Sequence, residues 1–482
     1  MSASAQAVKH EVEAAAERAE HRKRLIGAVL GVVLAVILRL LPTPQGLTPI
    51  GHSILAILAL TVVYWIFEVL GNAPTSILML GLMIVAGVKP SVALSSFSAL
   101  PFWILVVVLF YGYAMQSTGL AKRLSFVILN LFPATYGGIL GSFFLIGLIL
   151  SLGVPSMTVR TAIMTPIAWA LVQALGLEPK SRGSSLLMIS CVEMAVIPGC
   201  ATLLGSLWGP LMIGLFAKRG MELQWVPWAR AMFLPTVVWS VLLLVGNYIA
   251  FKPEKEITVG KAFARAELSK LGRMSRKEMA VAVIVILSIV FWVLGSVHKQ
   301  PTYVIGMFAM AAFVGFGILR ERDFGGAVNW SLLLFLGAVF SLPEIIEQNK
   351  VTEWVAGFII PMITKVSGHV LIFALVLAVV MMLLRFTDPT GFLIMTVLFL
   401  PISSILQSSP ISPIVIIAAI LMGAHPFWTM YQNFWIALMH GMCNEQDSTA
   451  GARFQLSNVH AVASLLALAI AVGYWRLIGL WQ

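Results

Sequence analysis

The chain has 482 residues, 60% of them hydrophobic and only 11% charged, with a mean hydropathy of +0.96. A soluble domain carries roughly 25% charged residues, so a water-soluble enzyme and a nucleic-acid binder are both excluded despite the formal net charge of +11. Cys191, Cys200 and Cys443 supply no disulfide framework.

Apolar segments of about 20 residues, the length that crosses the hydrocarbon layer, recur along the chain and predict an all-α polytopic membrane protein of about 11 transmembrane helices. The first 24 residues carry Lys9, Arg18, Arg22, Lys23 and Arg24 among Ala and Glu, which predicts a short amphipathic helix rather than a cleaved signal. Spans are expected at 25–42, 52–70, 75–88 and 97–117, followed by an apolar pair at 136–153 and 158–175. An interrupted span at 184–217 comes next, then spans at 229–251, 279–296, 302–319 and 328–346. A second pair at 369–386 and 391–407, an interrupted span at 411–441 and a last span at 459–480 complete the chain.

Basic residues set the orientation. Those of the N-terminus and of the loop 252–277, from Lys252 to Lys277, belong to the cytoplasm by the positive-inside tendency. Both fall on one side only if each apolar pair is a re-entrant hairpin that enters and leaves by the same face. Lys218, Arg219 and Arg230 are the exception, since this topology puts them outside.

A weak internal repeat lies at an offset of about 232 residues, with an inverted arrangement and broken helices of the kind secondary transporters use at a midplane site. "FWILVVVLFYGYAMQSTGLAKRL" from Phe102 is echoed by "NWSLLLFLGAVFSLPEIIEQNKVTEWV" from Asn329. The first hairpin tip, "GVPSMTVRTAIMTP" (Gly153 to Pro166), puts helix breakers, hydroxyls and a cation at membrane depth. Such backbone is tolerated where it lines a cavity or is buried in protein. The N–H groups that start the helix after Ser156 favour an anion, Ser156 and Thr158 can donate to it, and freed carbonyls can hold sodium. The matching tip is "RFTDPTGF" (Arg385–Phe392), with Thr387, Asp388 and Thr390. The facing breaks are "PGCATLLGS" (Pro198–Ser206) and "HPFWTMYQN" (His425–Asn433), which offer Thr202, Gln432 and Asn433. Arg160 is either a fixed cation for substrate or a structural partner of Glu193, and Asp388 either a proton carrier, a cation ligand or a partner of Arg385. His425 and His440 are further candidates to titrate near neutrality.

These motifs resemble the divalent anion:sodium symporter family, the INDY-type carboxylate and sulfate transporters. "YWIFEVLGNAPTSILMLGLMIVAGV" from Tyr64, "MQSTGLAKRL", "GCATLLGS" and the final "YWRLIGLW" carry the resemblance by order and spacing past residue 50. It implies two Ser-Asn-Thr tips that hold substrate and sodium. Here the first is Ser156-Met157-Thr158, the second Asp388-Pro389-Thr390, and the Pro-Pro-Asn after the first break is Leu207-Trp208-Gly209. The substrate site expected on this basis is Ser156, Met157, Thr158, Arg160, Thr202, Asp388, Pro389, Thr390, Gln432 and Asn433. Sodium, if bound, is expected at Ser156, Gly199, Thr387 and Tyr431, and no other cofactor is expected. Because the departures fall on the sodium-binding asparagines, coupling is expected to be altered or absent, with Arg160 taking over the cation's electrostatic work.

The divisions expected are 1–24, a cytoplasmic N-terminus; 25–117, first-repeat scaffold; and 118–228, first hairpin and broken helix. Then come 229–346, a linker helix, the basic loop and second-repeat scaffold; 347–458, second hairpin and broken helix; and 459–482, the last span. The function expected is elevator-like transport of small di- or tricarboxylates or sulfate in the plasma membrane, proton-coupled or by exchange, with sodium symport as the alternative. The family resemblance also implies a homodimer. A channel is disfavoured by the lack of a carbonyl filter motif, and an enzyme by the lack of paired Asp, Ser/His or His/Glu metal spacing within matched spans.

Overall fold

The structure is a computed structural model that describes residues 3–154, 156–253, 260–326, 329–351, 353–354, 357, 368–386 and 391–481. Its first helix, α1 (Ala3–Leu40), is continuous through the polar N-terminus into the first apolar segment. The Ala/Glu/Lys/Arg composition favours helix and no Gly or Pro separates the two parts, so the expected boundary near residue 24 is not a break. α2 (Pro49–Ile66) starts at Thr48, whose hydroxyl accepts from the Gly51 N–H at 2.9 Å, with Pro49 in the first turn. α3 (Asn72–Val85) and α4 (Leu100–Ser117) follow.

At Thr118-Gly119 the chain bends by 67° into α5 (Leu120–Leu131). Gly119 has φ +85, a left-handed conformation open to glycine at little cost. α6 (Tyr136–Gly153) and α7 (Met157–Ala174) are the two arms of the first apolar pair, and both pack on α8 (Arg182–Val196), which is buried along its whole length. A 3-10 turn (Ile197–Ala201) and an irregular stretch separate α8 from α9 (Trp208–Lys218). α10 (Trp225–Ala250) runs against that turn.

In the basic loop, α11 (Gly260–Leu271) packs on α5, where Arg123 holds the Leu271, Gly272 and Arg273 carbonyls and pairs with Glu278 at 2.7 Å. α12 (Arg276–Val293) opens with a Ser275/Glu278 capping box. α13 (Thr302–Gly315) and α14 (Trp330–Gln348) precede the second apolar pair, α15 (Val370–Leu384) and α16 (Phe392–Ile405). α17 (Pro413–Gly423), a 3-10 turn (Met430–Gln432) and α18 (Phe434–Met442) form the second interrupted span, and α19 (Ala450–Leu477) ends the chain.

The packing crosses between the halves. α18 lies on α7 and α9 lies on α16, with Phe216 stacked on Phe399 at 5.3 Å. α10 and α19 run side by side next to the breaks, while α14 packs against α3 and α13 against α4. Among the described residues there is no strand, and six helices are long and apolar enough to cross a membrane alone, or seven if the bent α4–α5 pair counts as one. Several shorter apolar helices are arms and half-helices at tips or breaks, such as Val370–Leu384, Phe392–Ile405 and Pro413–Gly423. A break divides the length a single span would have.

Candidate functional site

Ser156 starts α7: its hydroxyl accepts from the Val159 N–H at 3.4 Å, and it is buried with Met157, while Thr158 is partly buried. One turn on, Arg160 is 0% exposed. Its Nε donates to the Ala195 carbonyl at 2.5 Å, Nη1 to Val154 at 2.6 Å and Gly205 at 2.7 Å, and Nη2 to Val196 at 3.4 Å. Val154 follows the end of the first arm, Ala195 and Val196 end α8, and Gly205 lies within the break. The ends of α6 and α8 present the negative pole of the helix dipole. The guanidinium is therefore held by oxygen dipoles. Glu193, the alternative partner expected from the sequence, is bonded instead to His460 and Asn247.

Two glycines permit this closure. A Cβ on Gly199 would collide with the Gly205 carbonyl and reach within 2.5 Å of Arg160 Nη2, and one on Gly205 would collide with the Gly199 carbonyl. Thr202, 5% exposed, lies in extended backbone between them.

The second half holds its own buried arginine, Arg385, 1% exposed, which caps the end of the first arm α15 where Arg160 starts the second arm α7. Its Nε donates to the Ala424 carbonyl at 3.0 Å, and its Nη2 donates to the Gln432 carbonyl and to Asn433 Oδ1, the latter at 2.6 Å. Ala424 ends α17 as Ala195 nears the end of α8, and Gln432 lies within its break as Gly205 does within the first. Arg385 follows Arg160 by the same number of residues as His425 follows Cys200, and the Cys200 Sγ and His425 Nε2 are 3.7 Å apart. The sequence singled out Arg160 and treated Arg385 only as a partner for Asp388. The equal separation of these two pairs was the available signal.

Gln432 and Asn433 are brought to this site, but as its framework. Gln432 Oε1 accepts from the Trp428 and Thr429 N–H groups at 2.6 and 3.0 Å, and Asn433 Nδ2 donates to the His425 carbonyl at 2.9 Å while its Oδ1 holds Arg385. Tyr431 precedes them in the 3-10 turn Met430–Gln432. Thr387, Asp388, Pro389 and Thr390 lie outside the described residues. His440 lies apart, on Asp447 at 2.5 Å. Where the family resemblance has Pro-Pro-Asn, Trp208 fills the space between the halves, its ring 4.5 Å from Phe392 and 6.0 Å from His425.

Arg160 engages the carbonyls of Val154, Ala195, Val196 and Gly205; Ser156 and Gly199, where sodium is expected at the first tip and break, are not among them, and Thr387 lies outside the described residues.

Buried, crossed half-helices with cations at their breaks define a helical membrane carrier. The chain superposes on the crystal structure of the Alcanivorax borkumensis YdaH transporter with a TM-score of 0.55, over 96% of this chain and 99% of that one, at 13% identity, a likeness of fold alone. A family model described as the sodium:sulfate symporter transmembrane region matches residues 22–481. The chain belongs to that family of integral membrane transporters, and it is not an enzyme. It is 24% identical over 341 residues to dicarboxylate transporter 1, chloroplastic, of Spinacia oleracea, covering 69% of this chain and 59% of that protein. It is 26% identical over 416 residues to the sodium-dependent dicarboxylate transporter SdcS of Staphylococcus saprophyticus, covering 80% and 78%.

Proposed function

We propose that the protein exchanges small divalent anions, dicarboxylates first among them, across the plasma membrane without sodium. The observation that carries this reading is the pair of buried guanidiniums, Arg160 and Arg385, each bound to carbonyls at a break. The names of the two relatives support the substrate class. The anion is held between the tips, by the helix start at Ser156-Met157-Thr158, by Thr202, and by the segment Asp388-Pro389-Thr390, with the two guanidiniums supplying positive potential behind them.

Fixed cations change the energetics of the return step. In an ion-coupled carrier the cations leave with the substrate, so the empty unit sheds their charge. Here the release of a dianion leaves the unit more positive. An uncompensated charge near the bilayer centre costs roughly 3 kcal/mol or more, about a hundredfold in population for each charge. Return of the empty unit is suppressed, and a second anion is needed for the way back.

In this proposal the moving unit consists of both hairpins, both interrupted spans, α10 and α19. The last two differ from the divisions expected from the sequence because their main packing is with each other and the breaks. The two halves act as inverted repeats in an elevator-like motion, with the N-terminus and the basic loop cytoplasmic and a second copy of the chain completing the scaffold. A sodium symporter is the alternative.

Arg160→Gln and Arg385→Gln test the reading in proteoliposomes preloaded with succinate. Each is expected to lower exchange of labelled succinate at least tenfold while the purified protein stays monodisperse. Exchange at the wild-type rate in both variants would reject the role of the guanidiniums.

A further inference from the structure

A second ionisable group lies close to the first break and is not used by the guanidinium sites. Glu193 on α8 is 0% exposed, as are His460 on α19 and Asn247 on α10. Glu193 Oε1 is 3.0 Å from His460 Nδ1, and Oε2 accepts from Asn247 Nδ2 at 2.6 Å. Asn247 Nδ2 also reaches Ser190 Oγ at 3.0 Å. Two polar atoms of this cluster, His460 Nε2 and Asn247 Oδ1, have no hydrogen-bond partner among the described residues. The rings of Trp239 and Phe427 stand edge-on to the imidazole at 5.7 and 6.3 Å, which keeps its surroundings apolar.

A carboxylate and a neutral imidazole together carry one negative charge, and one added proton makes the pair neutral whichever atom holds it. An ionisable pair this deep in a membrane protein marks an ion or proton path by default. The charged and titratable groups around it are few. Arg160, from α7, engages the Ala195 and Val196 carbonyls on Glu193's own helix. Cys191 shares that helix, Cys200 lies in the turn beyond it, and His425, from the second break, packs on the same Trp239 ring at 5.4 Å. His440 on α18 is bonded to Asp447. Tyr136 starts α6, and Arg230, Tyr248 and Arg453 lie near the ends of α10 and α19, as do Tyr474 and Arg476.

We propose that the Glu193–His460 pair is a proton-binding site that loads together with the substrate, one proton for each divalent anion. The proposal rests on reading Arg160 and Arg385 as fixed charges of the moving unit. A proton on the pair offsets one of the charges a dianion brings, so the doubly charged anion moves with the proton and a singly charged one moves without it.

Two measurements on the purified full chain test this. Stepping the pH from about 8.5 to about 5.5 across the histidine range is expected to produce an infrared carbonyl or imidazolium band that disappears in Glu193→Gln and shifts its midpoint in His460→Gln. This step needs no substrate, so it decides the proton site even for a chain that fails to bind succinate, an outcome that would fall on the dicarboxylate reading alone. In weak buffer with a pH dye, succinate binding to the wild type near neutrality is expected to take up a proton, approaching one per site, and to take up none in Glu193→Gln. A wild-type chain without the band, or succinate binding with no proton uptake, would overturn the proposal, and neither result depends on a variant folding.

Discussion

Arg160 and Arg385 are buried as completely as the core aliphatics, and an arginine is placed there only if its N–H groups are all but saturated. Breaking a helix leaves several unbonded carbonyls within a few ångströms, and a planar guanidinium with five N–H donors can collect several of them at once. The same economy explains Gly199 and Gly205, whose main chains touch where any side chain would push the break open. Gly205→Ala is expected to destabilise the protein by about 2 kcal/mol, as overpacking in a tight core does. Thermal unfolding in detergent checks it, and an unchanged midpoint would show that the break has slack. At this scale the sequence was partly legible. Arg160 and Arg385 both stand at quoted hairpin tips, but most of the partners of each come from a break about 40 residues further on, and no local pattern joins them. Gln432 and Asn433 were chosen as polar groups facing substrate, and both hold the second break together. Side-chain direction within an irregular turn is set by neighbours the sequence does not order.

Among the elements, the apolar pairs and interrupted spans were legible because length and helix breakers mark them directly. α5 was not, since Leu120–Leu131 is too short and too mixed to count as a span, and it is fixed by Arg123 on the carbonyls that end α11. Lys218, which the sequence left outside with no role, pairs with Glu344 and so ties α9 to α14. In the proposed division that contact joins the moving unit to the scaffold, beside a cavity lined by Ser95, Ser98, Lys218 and Glu344. Lys218→Glu and Glu344→Lys are each expected to change the exchange rate several-fold, and the double charge swap to restore it. A double swap no better than either single would mean that the pair does not govern the motion. The partial exposure of both groups argues for a modest effect, weakened by salt.

For the whole molecule, composition placed the chain in the membrane and the order of its breaks pointed to the family, which the match over residues 22–481 establishes. The coupling ion could not be settled by motif, because Met157 and Gly209 show only that asparagines are missing and not what replaces them. In the proposed reading, the guanidiniums on the carbonyls at both breaks take their place. The central claim is that these fixed charges do the work of mobile cations. Uptake of labelled succinate into proteoliposomes tests it most directly, comparing an inward sodium gradient with unlabelled succinate trapped inside in sodium-free buffer. Rapid uptake with internal succinate is expected, with no accumulation from the sodium gradient and no change in rate when sodium is added. Sodium-driven accumulation into vesicles without internal substrate would contradict it.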